Sequence, residues 1–306
     1  MFAVDSIQKK ILYTISAFAI VTILIRTVIF TSSNYEAVRN DILAQMKTQV
    51  DRDAMQITSF FAQYARVAET FINSPEVIDW LLNYTERGSI SGDSEAYQGL
   101  NRVLHAVSDR DENVLSAFYA SELTQEYLAE DRITGVPADG SDDKENGYFV
   151  RVRPWYQKTI EFKDMLTTPP AVDIITGGIS VSVEQVMYHK GQLVGAGGID
   201  ISINNIARLT QAIEFEGEGF AALFDDEWGN VTFPKDIAEF EINTPLQDIN
   251  KHQGMSGLDT LITAKPQTLV PVEINGEPYY ALSMPVSADM PKMTWREVLF
   301  VPTAVV

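Results

Sequence analysis

The run ILYTISAFAIVTILIRTVIF, residues 11–30, constrains this chain more than any other stretch. A helix crossing a hydrocarbon core of about 30 Å needs roughly 20 apolar residues, and this run supplies them. Lys9 and Lys10 precede it, so the positive-inside bias places residues 1–10 as a short cytoplasmic tail. Arg26 interrupts the run near its far end, from where its long stem can snorkel to the outer headgroups. The competing reading is a cleaved signal peptide, because Ala17-Phe18-Ala19 has a small-x-small form. The apolar stretch continues well past that point. An uncleaved transmembrane helix at 11–30 is therefore expected, with the rest of the chain outside the cytoplasm.

Composition narrows what that outer part does. At 306 residues with 45% hydrophobic content, the chain can fill the cores of two modules. The 42 acidic residues outnumber the 23 basic ones, giving a net charge of −19. That balance argues against a nucleic-acid surface, which needs clustered positive charge. The absence of cysteine removes thiol nucleophiles, disulfides and Cys-based zinc sites. His105, His189 and His252 lie far apart, without metal-ligand spacing. No metal site, cofactor or catalytic residue is expected.

From Asn34 to Asn73 the sequence has no proline or glycine and reads as one long helix. Ile57, Phe61, Tyr64, Ala68 and Phe71 recur at helical spacing and share a face. That stripe suits either a dimer seam that transmits a signal or the core of its own domain, and the periodicity does not choose. Ser74 and Pro75 then read as the N-cap and first position of a new helix. RGSISGDS (87–94) is a loop, and a further helix carries Leu100, Val103, Leu104 and Val107. Residues 113–120, 179–188 and 192–203 read as strands, and 204–213 as a short helix. Two hairpins follow, over 219–233 with its turn at 225–230 and over 269–286 with Asn275-Gly276 at the tip. A largely apolar strand closes the chain. The fold class is α/β in the α+β sense: a long helix followed by two PAS-like antiparallel-sheet modules.

YFVRVRPWYQKT (148–159) concentrates two arginines and four rings, which suits neither a core nor a solvated loop. Pro154 fits a first helical turn, so Arg153 and Trp155 would flank a helix N-terminus already favourable to an anion. Arg153 adds a fork of donors shaped for a carboxylate, Tyr148 a hydroxyl, and Trp155 an indole N–H with an apolar wall. Downstream, Asp173 precedes a strand and Asp200 lies within the apolar run GAGGIDISI. A carboxylate in such a run needs a partner, which a ligand ammonium can supply, with Tyr156 adding a hydroxyl or a ring face. A carboxylate clamp at one end and two acids at the other make a receptor for a zwitterion.

This arrangement resembles the periplasmic double-Cache sensor domains of bacterial chemoreceptors and sensor kinases, over residues 34–302. The signature of the amino-acid-binding members is a Tyr, then Arg-x-Trp-Tyr, then two aspartates. It falls here on Tyr148, Arg153, Trp155, Tyr156, Asp173 and Asp200. The resemblance implies that Tyr148, Arg153 and Trp155 take the ligand carboxylate and that Tyr156, Asp173 and Asp200 take its amino group. It implies a long stalk helix (34–73), a membrane-distal ligand-binding module (74–213) and a membrane-proximal module (214–302). Residues 303–306 would begin a second transmembrane segment, and the sensor would sit in the periplasm, anchored in the inner membrane as a homodimer. Ala171 departs from the pattern, which has a tyrosine two residues before the first aspartate.

Taken singly, these residues have plainer readings. Asp173 could serve the turn before Thr176-Gly177-Gly178, Asp200 could cap the following helix, and Arg151 could be a surface or gatekeeping residue. DDE (225–227) and SDDKEN (141–146) read as solvated turns. An enzyme using Asp173 and Asp200 as acid and base lacks an accompanying nucleophile–histidine pair, phosphate loop or metal set. A structural ectodomain that dimerises without a ligand is the third possibility. The expectation is a sensor that binds an L-amino acid or related amine-bearing carboxylate and passes the signal across the membrane. A chemoreceptor output is expected first, with a histidine kinase or diguanylate cyclase as the alternative.

Overall fold

With neither proline nor glycine from Phe2 to Ile72, nothing in that stretch stops a helix, and α1 (Phe2–Ile72) runs through all of it. The computed structural model describes residues 2–90, 94–134, 147–173, 176–215 and 217–306. Side chains at 2–12, 17, 24–25, 27–36, 39 and 132–134 lie outside that description, as does the expected turn at 141–146. The chain divides into two units, residues 1–48 with Val306, and residues 49–305.

In the first unit, the run read as a membrane span lies within α1, and part of it falls outside the described side chains. Among the described residues no helix is long and apolar enough to cross a membrane. The apolar side chains that are described there, Tyr13, Ile15, Phe18, Ile20, Val21 and Ile23, are all exposed.

In the second unit, the stripe Ile57, Phe61, Tyr64, Ala68 and Phe71 is buried in a core shared with Leu81, Leu104, Tyr119 and Ile199. The stripe therefore covers its own domain. Helices α2 (Pro75–Asn83) and α3 (Glu95–Ser108) complete that layer. Ser94 caps α3 through its side chain, whereas the Ser74 hydroxyl donates to Glu76 and makes no cap bond.

The sheet behind these helices is antiparallel, in the order β4 (Leu166–Thr167), β6 (Ile179–His189), β7 (Gln192–Ser202), β1 (Val114–Ser121), β2 (Tyr127–Ala129), β3 (Arg132–Thr134). Strand β5 (Ala171–Val172) pairs with the start of β6, and α4 (Pro154–Phe162) packs across the far face. A register shift between Met187 and Tyr188 brings Ser182 opposite Asp200 and Glu184 opposite Gly198.

After α5 (Ile203–Gln211) come β8 (Phe220–Phe224), β9 (Asn230–Thr232), α6 (Leu246–Ile249), α7 (Thr260–Thr263), β10 (Leu269–Ile274), β11 (Glu277–Asp289) and β12 (Lys292–Pro302). Here β12 lies between β11 and β8, over a second core containing Phe224, Leu246, Leu261, Val298 and Phe300. The β10–β11 tip is Asn275-Gly276, with φ of 53° and 82°, the positive pair that a two-residue hairpin turn requires. The two sheet regions meet where β4 runs parallel to β12 at Leu166 and Lys292, and the Lys292 amide donates to the Met165 carbonyl at 2.8 Å.

Candidate ligand-binding site

Alternation along β6 buries Val181 and Val183 on the helix side and turns Ser180, Ser182 and Glu184 to the opposite face. Asp200 on β7 pairs with Ser182 on one side and with Ser116 of β1 on the other. The Ser182 hydroxyl donates to Asp200 Oδ1 at 2.5 Å, and the Ser116 and Tyr127 hydroxyls donate to Oδ2 at 2.7 and 3.2 Å. Burial raises the Asp200 carboxyl to about 6, against the pull of those hydroxyls. It remains an anion at neutral pH.

Above this row lies a cavity of about 290 Å³. Its aromatic wall is Phe118, Tyr127, Tyr148 and Trp155. The segment 168–173 forms another side, and Lys158 of α4 stands among the lining residues. Asp173, Glu184 and Asp200 are each 5% exposed or less. Three buried carboxyl groups thus converge on one small space. Glu184 Oε1 accepts from the Thr159 hydroxyl, while Oε2 is buried without a hydrogen-bond partner. Burial pushes Glu184 up to about 8; the Thr159 bond and the charge of Lys158 oppose the rise, and Asp200 adds to it.

Of the six residues singled out in the sequence, Tyr148, Trp155, Asp173 and Asp200 line this cavity. The Trp155 indole donates to the Tyr148 hydroxyl at 3.0 Å. Asp173 also serves its turn: Oδ1 accepts from the Thr176 amide at 2.6 Å and hydroxyl at 2.5 Å. Asp200, by contrast, sits within β7 and caps no helix; Ser202 caps α5.

Arg153 and Tyr156 are not among the lining residues. The Arg153 guanidinium stacks on the Tyr148 ring at 4.0 Å. Tyr156 is fully buried beside Phe118 and Ala196, and its hydroxyl donates to Glu122 at 2.8 Å. Arg151 pairs with that same Glu122. Ala171 lines the cavity, so the position where the family pattern has a tyrosine carries only a methyl group.

The sequence reading missed Glu184, Lys158 and the hydroxyl cradle of Ser116, Ser182 and Tyr127. The alternation Ser180-x-Ser182-x-Glu184 was a usable signal, since a strand facing a core would not place three polar residues on one side.

No family model matches the chain. Among curated proteins it is 27% identical over 105 residues to the methyl-accepting chemotaxis protein PscA of Pseudomonas syringae, covering 32% of this chain and 17% of that one. It is 21% identical over 231 residues to the methyl-accepting chemotaxis protein McpC of Bacillus subtilis, covering 71% of this chain and 31% of that one. The chain thus spans less than a third of the length of either relative.

Among solved structures it is similar to the ligand-binding domain of the Pseudomonas fluorescens chemoreceptor CtaA in complex with L-isoleucine, with a TM-score of 0.66 and 16% identity over 88% of this chain and 95% of that one. The ligand-binding domain of the Pseudomonas aeruginosa amino-acid chemoreceptor PctB, in complex with L-Arg, gives 0.62 and 17% over 87% and 97%. The corresponding PctC domain in complex with GABA gives 0.59 and 19% over 84% and 98%. The fold is that of chemoreceptor ligand-binding domains, in agreement with the resemblance read from the sequence.

Proposed function

We propose that this chain is the extracytoplasmic sensor of a transmembrane chemoreceptor, and that its cavity takes an L-amino acid or related amine-bearing carboxylate. The observation that carries this reading is the convergence of Asp173, Glu184 and Asp200 on one buried, aromatic-walled space. Such a concentration of acid is stabilised by an ammonium group. Tyr148, Trp155 and Lys158 line the same cavity and are the groups available to the other end of a zwitterion. The curated relatives, named as methyl-accepting chemotaxis proteins, favour a chemotaxis output over a kinase or cyclase. Anchoring through residues 11–30 is supported by the length of that run and by the exposed apolar side chains at its described positions. A homodimer in the inner membrane, with the sensor in the periplasm, follows from the family resemblance.

Calorimetric titration of the full chain in detergent with the common amino acids tests the site. Asp200→Asn is expected to weaken binding about 30-fold or more, the scale of removing one partner from a buried charged pair. Wild-type affinity should also fall as pH drops through about 6, because protonated Asp200 no longer attracts an ammonium. Unchanged affinity in Asp200→Asn, with unfolding temperatures confirming a folded protein, would sink the assignment.

A second reading, an amine ligand without a carboxylate, is favoured by the position of Arg153 on the Tyr148 ring and outside the cavity lining. Arg153→Ala separates the two. Loss of affinity points to the zwitterion, and undiminished affinity to the amine.

A further inference from the structure

The amino-acid reading needs an acid for the ligand's α-ammonium, and Asp200 with Asp173 provides it. Glu184 is left over. It is 0% exposed, it lines the cavity, and its Oε2 is buried without a hydrogen-bond donor. A buried oxygen in that state costs free energy until something donates to it.

No side chain from the neighbouring strand can fill the role. The residue opposite is Gly198, where a Cβ would stand 2.9 Å from Glu184 Cβ and 2.6 Å from Phe118 Cζ. From α4, Thr159 already donates to the other oxygen, and Lys158, a lining residue on the exposed side, acts on Glu184 only through its charge and makes no hydrogen bond to Oε2. From β4, the residue opposite is the apolar Leu166. Tyrosines apart, the remaining ionisable groups among the lining residues are Asp173 and Asp200, which are acids too.

Spacing adds to this. Glu184 and Ser182 are successive residues on one face of β6, about 7 Å apart along the strand. Asp200 lies directly across from Ser182. The unpartnered oxygen therefore belongs to a row displaced along the strand from the α-ammonium position, a distance that a few methylene groups bridge.

We propose that Glu184 is a second cation subsite, and that this chain selects amino acids bearing a side-chain ammonium, which donates to Glu184 Oε2 while Asp200 and Asp173 hold the α-ammonium. This rests on the amino-acid reading of the cavity. Below about pH 8 the empty site holds a proton on Glu184, and an arriving ammonium favours its release. Preference for the dibasic ligand consequently grows as pH rises from 6 to 8.

The test is calorimetric titration of the full chain with L-lysine and L-norleucine, which share a carbon skeleton and differ by the terminal ammonium. Lysine is expected to bind at least about tenfold more tightly at pH 8, the scale of a hydrogen bond to a charged group. Glu184→Gln keeps the shape and should bring the two ligands within about threefold of each other. In wild-type protein the ratio should widen between pH 6 and pH 8, a readout that holds even if the variant fails to fold. Norleucine binding as well as lysine, or a lysine preference that survives in Glu184→Gln, overturns the role of Glu184 and leaves the amino-acid site standing. If no amino acid binds at all, the site reading itself fails, and this one with it.

Discussion

Gly195→Ala is expected to destabilise the sensor by about 3 kcal/mol or more, the upper range for forcing an extra carbon into a packed interior. A Cβ at that position would lie 1.9 Å from the Ala120 carbonyl oxygen and 3.0 Å from its carbon. Those are backbone atoms of β1, so no rotamer change relieves the contact and the β1–β7 pairing must open. That pairing positions Ser116 against Asp200, so ligand affinity should fall together with stability. Gly99→Ala is the matched control. Gly99 lies within α3, where the nearest atom to a new Cβ is the end of the Arg102 side chain at 3.7 Å. It should gain up to about 1 kcal/mol from helix propensity. Urea midpoints at constant slope measure both variants. Stability of Gly195→Ala within about 1 kcal/mol of wild type would mean that the strands are not packed as described.

Glu297→Gln is expected to flatten the pH dependence of stability. Glu297 lies in the middle of β12, between Met284 and Leu223, with both carboxyl oxygens buried and without a hydrogen-bond partner. Burial raises it to about 9, and the charge of Asp53 on α1 adds to the rise. The sign follows directly. Between about 4.5 and 9 the unfolded chain has released this proton and the folded chain has kept it. Stability is therefore present in full at low pH and falls as pH rises through that window. At about 1.4 kcal/mol per pH unit, the loss between pH 5 and pH 8 is on the order of 3 kcal/mol, after allowing for some relaxation around the charge. Glutamine removes the titration. Denaturant midpoints of both proteins at pH 5 and pH 8 decide the matter, and equal pH sensitivity in the two would refute the account.

Much of the fold was legible because it was written in local patterns. The α1 stripe could be read from helical spacing, and the β10–β11 tip from Asn275-Gly276. Asp200 stood out as a charge inside an apolar run. Non-local features were not legible. Strand β4 is two residues long and carries no periodicity, so nothing in its sequence signals its parallel contact with β12.

The juxtaposition of Glu184 with Asp200 is the more instructive case: the alternation of β6 gives the face of Glu184 but not what lies across from it. Counted back from the tip at Lys190-Gly191 without a register shift, Ser182 would face Ile199, and Glu184 would face Gly197. The shift between Met187 and Tyr188 moves each by one residue and places Ser182 beside Asp200. A bulge of that kind depends on how two strands fit together, and one strand's residues do not declare it. Arg153 and Tyr156 match the spacing of the signature, and spacing alone does not say which side chains line a cavity; neither is among the lining residues of this one.

The contact between β4 and β12 has a thermodynamic consequence for the sensor. The chain leaves β4 directly into residues 168–173, one side of the cavity, while the Lys292 amide fastens the start of β12 to Met165. If occupying the cavity favours one placement of that segment, this contact can pass on to β12 at most that free energy. Linkage then runs both ways. Any restraint on β12 near Pro302 would then retune the affinity of the cavity. If the chain is the receptor sensor proposed above, an affinity measured on the isolated domain would differ from that of the same domain held in its receptor.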